Sequence, residues 1–255
     1  MEIKEKMKLV IKMSEIVRNH GSKIASVTAV YGDSSGQRAI VTSDGSKILI
    51  EPSSATAAVM AIAQEGEKIT SVSERLGSPG GFEIFQRLKV EETAKEVAEK
   101  ALNLLKAKPA PSGRFTVVMD PKLAGVFAHE AVGHACEGDT VADGQSILQG
   151  KIGEKIGSGH VTIYDDSTYP DGWGSTRYDM EGVPAKKRLL IDRGVLKNFI
   201  LNRESAGELN MTPNGGARAQ SFAFRPIVRM SNTYITPGDW SLDEILRDTK
   251  EGILL

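Results

Sequence analysis

Two histidines and a glutamate lie close together near the middle of the sequence, in the segment HEAVGH at positions 129–134. Neutral imidazoles bind zinc, and a helix can present two of them to one metal ion. A glutamate beside the first histidine can take a proton from a water molecule that the metal activates and pass it to a leaving amine. The pattern therefore predicts a zinc-dependent hydrolase, with His129 and His134 as metal ligands and Glu130 as the catalytic base.

The spacing of these two histidines requires a distortion of the helix that carries them. Histidines four residues apart, the common zinc-protease spacing, are about 40° apart around a helix, whereas five residues correspond to about 140°. An inserted residue, as in a π-bulge, restores the alignment, and Gly133 can host it. Alternatively, the helix ends there and His134 lies in its last, unwound turn. A chance pair of helical histidines beside a surface glutamate is a third interpretation.

The elements around this segment follow from caps, turn residues and hydrophobic spacing. Asp120 is a good N-cap and Pro121 fits the first helical position, so we expect the histidine helix to begin there. A glycine-rich connector follows over 138–159. The other expected elements are strands at 114–120, 160–166 and 227–235, a hairpin at 186–201 with its tip near Arg193-Gly194, and a last helix at 241–252.

In the N-terminal third, the hydrophobic residues follow helical spacing over 3–19 and then the alternating spacing of strands. Turn residues separate the strands, with a hairpin tip at Glu65-Gly66, so we expect an antiparallel meander across 24–76. Glycines and a proline at 77–81 end the sheet, and 89–107 is the clearest helix. The pattern predicts an α+β fold, in which an antiparallel meander sheet and helices form an N-terminal region (1–80). The histidine helix packs on a mixed sheet in a second region (81–255).

Composition limits the class of protein. The chain has 255 residues, 40% of them hydrophobic and 25% charged, with a net charge of -1. Without a basic stripe, nucleic-acid binding has no electrostatic support, and no apolar run is long enough to span a membrane. The N-terminus lacks the apolar core of a signal peptide, and the single cysteine, Cys136, excludes an internal disulfide. We therefore expect a cytoplasmic protein.

Three stretches of the sequence resemble the TldD/PmbA metallopeptidases, a family also known as modulators of DNA gyrase. HEAVGHACEGD (129–139) resembles the histidine motif, and residues 178–206 resemble the EGVPA segment and hairpin of the family. Residues 214–246 resemble its Gly-x-Ala-Arg and Pro-x-x-Arg-Met-x-Asn-Thr stretch. The resemblance covers residues 5–255 and lies on the TldD side, because PmbA (TldE) members lack the histidine motif.

The resemblance implies a zinc peptidase that acts on unfolded peptides or leader peptides. His129 and His134 correspond to zinc ligands, and Glu130 to the base. It also implies that the chain pairs with a TldE/PmbA-type subunit or with a second copy, around an enclosed site. Family members carry an additional N-terminal segment, and their third zinc ligand is a cysteine in a C-terminal region. We expect both regions to be missing from this sequence.

Other residues near the motif are weaker candidates for the third ligand. Cys136 follows His134 by two residues, about 200° around the helix, and such a cysteine is more often a small buried residue. Glu137 and Asp139 are better placed for an oxygen ligand, although either can instead cap or solvate the helix end. His160 opens a strand, where a surface role is the more common one.

Three arginines are candidates for substrate binding. Arg218, Arg225 and Arg229 lie among glycines and a proline, and arginine in such a loop can bind a peptide carboxylate or carbonyl. The other interpretation is that they neutralise acidic surface within the fold. Because the resemblance places this stretch near the site, we predict peptide binding by all three.

Three functions are consistent with the sequence. The first is a TldD-like zinc metallopeptidase subunit in which Glu130 is the base. The alternative is a non-catalytic or decayed fragment that acts as a binding or dimerisation subunit. An interaction with DNA gyrase is the third, and no basic surface favours direct contact with DNA.

Overall fold

The computed structural model describes residues 2–255, which divide into two compact units. The first unit ends at Arg38 and resumes over Leu49–Ser112, and the second consists of Ala39–Ile48 and Gly113–Leu255. Both units combine helices with antiparallel strands, which confirms the predicted α+β class. The helix that follows the first sheet packs back on it, so the first unit extends to Ser112 and not only to the expected boundary at residue 80.

Residues 2–112 contain two α-helices, one short 3-10 helix and five strands. In order these are α1 (Ile3–Arg18), β1 (Ile24–Ser35), β2 (Arg38–Val41), β3 (Lys47–Ile50), β4 (Ser53–Glu65), β5 (Lys68–Pro79), a short 3-10 helix (Phe82–Gln86) and α2 (Val90–Leu104). The sheet of the first unit has the order β1-β4-β5, with both pairs antiparallel. β2 and β3 pair with each other, so a separate hairpin interrupts the predicted meander.

The side chains of β4 point alternately into and away from the core of the first unit. Every second side chain is fully buried, and α1 and α2 pack on that face of the sheet. The core side chains from these elements are Met13, Val17, Ala55, Ala57, Val59, Ala61, Ala63, Val90, Ala94, Val97, Ala98 and Ala101. The sheet continues further than expected, since β5 includes residues 77–79, and the chain turns only at Gly80, where φ is +122°.

The second unit contains shorter elements. In order they are β6 (Val117–Val118), α3 (Pro121–Ala128), a π-helical turn (His129–Gly133), a 3-10 turn (His134–Cys136), α4 (Gly138–Ala142), β7 (Ile163–Asp166), β8 (Lys187–Asp192), β9 (Val195–Leu196), α5 (Arg203–Glu208), β10 (Ala217–Arg218), β11 (Ile227–Val228), β12 (Thr233–Ile235), α6 (Leu242–Asp248) and β13 (Ile253–Leu254). Its main sheet is antiparallel in the order β12-β7-β8-β9, and α3 packs against β12. β6 and β13 form a parallel pair.

The hairpin turn and the helix cap of this unit follow from short stretches of sequence. The β8–β9 hairpin turns at Arg193 and Gly194, both with positive φ (46° and 80°), as the predicted tip requires. The last helix begins with a capping box, in which Ser241 and Glu244 are bonded to each other's backbone, as a serine followed three residues later by a glutamate predicts. The strand expected over 227–235 is instead divided into β11 and β12, because the residues between them bond to other parts of the unit.

The core of the second unit lies beneath the main sheet and the histidine helix. Its fully buried side chains include Leu190, Leu196, Ile200 and Leu201. The glycine-rich connector is tied to the β8–β9 hairpin, since Gly153 N donates to the carbonyl of Leu196 (2.8 Å). Within residues 2–255, no helix is both long and apolar enough to cross a membrane.

Candidate metal centre

The histidine helix begins with the N-cap that the sequence predicts. Asp120 Oδ1 accepts a hydrogen bond from Leu123 N (2.7 Å), and Pro121 occupies the first helical position. α3 continues with helical backbone angles into the π-helical turn His129–Gly133 and then the 3-10 turn His134–Cys136. The predicted distortion is confirmed, because the π turn accommodates the extra residue and the second histidine begins the last turn.

The π turn collects the three residues of the motif on one side of the helix. The ring centroids of His129 and His134 are 4.9 Å apart, with the ring planes at 81°. One potential ligand atom from each of His129, Glu130 and His134 lies within 4.8 Å of the other two. Both histidines are half-buried, whereas Glu130 is exposed. Water and a small ligand can therefore reach all three side chains.

Glu137 orients the second imidazole. Its Oε2 accepts a hydrogen bond from His134 Nδ1 (2.9 Å), which places the proton on Nδ1. His134 Nε2 is then left to bind a cation, and it lies 3.9 Å from Glu130 Oε2. The second oxygen of Glu137, Oε1, is buried without a hydrogen-bond partner and lies 3.5 Å from Arg229 Nη1. Arg229 therefore balances the charge of the carboxylate that holds the histidine.

This donor set fits a zinc ion. Catalytic zinc sites combine histidine nitrogens with carboxylate or thiolate ligands and leave one position open. A ligating histidine usually donates its other ring N–H to a carboxylate, which is the bond between His134 and Glu137. Among the described residues, His129, Glu130 and His134 form the one group of three such side chains close enough to share a metal. The two histidines would supply part of the coordination of such an ion, and a complete site would need a further ligand.

The other candidates for that ligand are engaged elsewhere. Cys136 is fully buried in the core, and burial raises the pKa of its thiol to about 12. Glu137 binds His134, as described above. Asp139 accepts hydrogen bonds from Thr140 N (2.8 Å) and Val228 N (3.1 Å), so it joins the helix end to β11. The interpretation of Cys136 as a small buried residue is therefore the one that the structure supports.

The three predicted substrate-binding arginines lie in different surroundings. Arg229 reaches Glu137 and is thereby joined to the histidine pair. Arg218 Nη2 donates to the carbonyl of Met230 (2.7 Å), and Arg225 forms an exposed ion pair with Glu204. Arg229 is thus the arginine that the structure joins to the motif, and a peptide-binding role for all three stays a prediction.

The remaining histidines have other environments. His160 is exposed, and its backbone N–H donates to Ser158 Oγ (3.3 Å). His20 lies in the first unit, 3.6 Å from Glu99 through its Nε2 atom. The surface role that the sequence favours for His160 agrees with its exposure.

Sequence analysis missed a buried ion pair that contacts Ser231, the residue after Met230. Asp165 and Arg188 are paired in the core with side chains 0% and 2% exposed. Asp165 also accepts hydrogen bonds from Ser231 N (2.8 Å) and Ser231 Oγ (2.6 Å). No local spacing joins residues so far apart in the chain. Glu137 was detectable as a partner of His134, because residues three apart are neighbours on a helix.

Comparison with known families places the chain among metallopeptidase domains. The PmbA/TldA metallopeptidase central domain matches residues 1–105, and the PmbA/TldA metallopeptidase C-terminal domain matches residues 112–255. A metalloprotease of Methanothermobacter thermautotrophicus is 46% identical over 232 residues, which are 91% of this chain and 51% of the relative. A zinc metalloprotease TldD homolog of Saccharolobus solfataricus is 31% identical over 98% of this chain and 56% of the relative. The chain thus spans about half the length of the curated relatives it matches.

Solved structures share the same fold. A Thermotoga maritima protein, provisionally described as a modulator of a DNA gyrase, matches the whole chain and 56% of its own with a TM-score of 0.86 at 27% identity. TldE of Thermococcus kodakarensis matches 97% of this chain and 55% of its own with a TM-score of 0.82 at 22% identity, a level that indicates the fold alone. These matches agree with the α+β architecture.

Proposed function

Because the chain belongs to the PmbA/TldD metallopeptidase family, we propose that it is a zinc-dependent peptidase subunit that hydrolyses unfolded peptides or leader peptides. The observation that supports this proposal is the π-helical turn, which brings His129, Glu130 and His134 within reach of one ion. The name of the Saccharolobus solfataricus relative, a zinc metalloprotease, supports zinc as the metal.

Each side chain of the group has a distinct role in the proposed hydrolysis. A bound zinc ion supplies a Lewis acid that lowers the pKa of a water molecule towards neutrality. His129 and His134 would hold that ion, and Glu137 keeps His134 in the tautomer whose Nε2 is free. Glu130 takes the proton of the attacking water and delivers it to the leaving amine. Its exposed position beside the histidines suits a group that must exchange protons with substrate.

Substrate binding and assembly are further parts of the proposal. Arg229 is half-exposed, with 40% of its side chain accessible, and adjoins the histidine pair through Glu137, so it can bind a peptide carbonyl beside the reacting bond. Arg218 and Arg225 are proposed as more distant peptide contacts. We propose a TldE/PmbA-type subunit or a second copy of this chain as the partner. The structural likeness to TldE shows that both kinds of chain share one fold.

The proposal is tested by peptide hydrolysis with matched variants. Purified protein loaded with zinc, with and without a TldE-type subunit, is incubated with an unstructured peptide. Glu130→Gln should abolish cleavage, because the amide cannot accept the water proton, while zinc stays bound. Glu154→Gln, an exposed glutamate in the connector, serves as the control and should cleave like the wild type. Cleavage that survives Glu130→Gln, or none by zinc-loaded wild-type protein in either mixture, would contradict the proposal.

A non-catalytic binding or dimerisation subunit is the second candidate function. One observation favours it, since around the histidine pair Cys136 is buried and Glu137 is bound to His134, so neither completes the coordination within the described residues. A chain of this kind would associate with a TldE-type partner but bind zinc weakly. Zinc titration by calorimetry, with and without the partner, separates the two functions.

A further inference from the structure

Gly133, the last residue of the π-helical turn, lies against the side chain of Met230. A Cβ atom at this glycine would overlap with Met230 Sδ and lie 3.2 Å from Met230 Cγ. Gly133 is buried, and Met230 is 3% exposed, so neither has open space on its other side. The contact therefore requires a residue without a side chain at this point of the helix.

Met230 is held in place by its backbone. Arg218 Nη2 donates to the carbonyl of Met230 (2.7 Å), and the next residue, Ser231, donates its N–H to Asp165 Oδ2 (2.8 Å). Asp165 is in turn paired with Arg188 in the core. The backbone of Met230 therefore cannot move away from the helix without breaking these bonds, and its side chain, buried in the core, has little open space for another rotamer.

We propose that Met230 is a positioning residue for the metal site, because its contact with Gly133 fixes the π-helical turn and so brings His129 and His134 together. A regular α-helix would place histidines five residues apart about 140° from each other around the axis. A π turn gives up the regular hydrogen-bonding pattern of the helix and persists where its surroundings hold it. The meaning of the contact for catalysis rests on the proposed zinc site, but its effect on the helix does not.

The effect on the helix can be measured without metal. The chain has four histidines, so ring-labelled histidine gives few signals, and rings with centroids 4.9 Å apart give a nuclear Overhauser effect (NOE) between ring protons. In chelator-treated wild-type protein we expect this NOE between His129 and His134. In Gly133→Ala it should disappear, because the new methyl group overlaps with Met230. The zinc affinity should fall about tenfold or more, as for other changes that misplace metal ligands.

Two further variants separate this contact from general damage to the helix. Gly125→Ala is the matched control, because a Cβ at Gly125 of the same helix meets nothing within 4 Å, and it should keep both the NOE and the zinc affinity. Met230→Ala removes the packing and should weaken both. In Gly133→Ala combined with Met230→Ala, the methyl group enters the space that the methionine leaves, so the NOE and much of the affinity should return.

The outcomes distinguish this inference from the proposed function. An NOE that persists unchanged in Gly133→Ala, or in Met230→Ala, means that the contact does not set the turn. A double variant that is as impaired as Gly133→Ala alone contradicts the inference as well. If Gly133→Ala does not fold, the NOE of Met230→Ala compared with that of wild type tests the inference. Wild-type protein that shows the NOE but binds no zinc would overturn the zinc function and leave the structural role of Met230 intact.

Discussion

Replacement of Asp165 by alanine should strongly destabilise the second unit. The Asp165 carboxylate is fully buried and accepts hydrogen bonds from Arg188 Nε (3.1 Å) and Nη2, from Ser231 N and Oγ, and from Thr233 Oγ1 (2.8 Å). Removing one partner of a buried ion pair leaves the other charge uncompensated, which costs about 3–5 kcal/mol. Because Arg188 also donates to the carbonyls at 214 and 215 (2.9 Å each), we expect the lower end, about 3 kcal/mol.

Urea unfolding followed by tryptophan fluorescence measures this loss of stability in the second unit. Both tryptophans, Trp173 and Trp240, belong to the second unit, so their emission reports on it rather than on the first. Asp44→Ala, which breaks an exposed ion pair with Arg203, is the control and should change stability much less. If Asp165→Ala lowers the free energy of unfolding by less than about 1 kcal/mol, the other acceptors of Arg188 are enough to stabilise its buried charge. The ion pair would then not anchor the segment that contains Ser231 and Thr233.

Two other predictions concern the residues that follow the motif. Glu137→Gln keeps the size of the side chain but weakens its bond to His134, so zinc affinity should fall about 10–100-fold in a calorimetric titration, and an unchanged affinity would exclude an orienting role. Cys136 has its pKa raised by burial from 9.0 to about 12, so the folded chain keeps a proton that the unfolded chain loses. The free energy of unfolding should therefore fall as the pH rises above about 9, and the fall should be smaller in Cys136→Ala; equal slopes would refute the burial argument.

Local features of this fold were predictable because they depend on residues a few positions apart. The N-cap at Asp120, the hairpin tip at Arg193-Gly194 and the capping box at Ser241 follow from short-range geometry, and each is present. The distortion of the histidine helix was predictable for the same reason, since the five-residue spacing of His129 and His134 excludes a regular α-helix if both bind one ion.

Pairings between distant residues were not predictable from the sequence. β1 pairs with β4 and not with the strand that follows it, because the β2–β3 hairpin closes on itself. The strand expected over 227–235 breaks where Arg229 and Ser231 bond to Glu137 and Asp165, which precede them by more than 60 residues. No periodicity of one segment encodes such contacts, because they depend on where the other segment lies in the fold.

Zinc calorimetry with matched histidine variants tests the central claim most directly. Metal-free protein is titrated with zinc as wild type, as His134→Ala, and as His160→Ala, which removes an exposed histidine outside the group. We predict that wild type and His160→Ala bind zinc with the same affinity, and that His134→Ala binds it much more weakly because one of two imidazole ligands is gone. Equal zinc affinity of His134→Ala and wild type would contradict the assignment of the π-helical turn as the metal site.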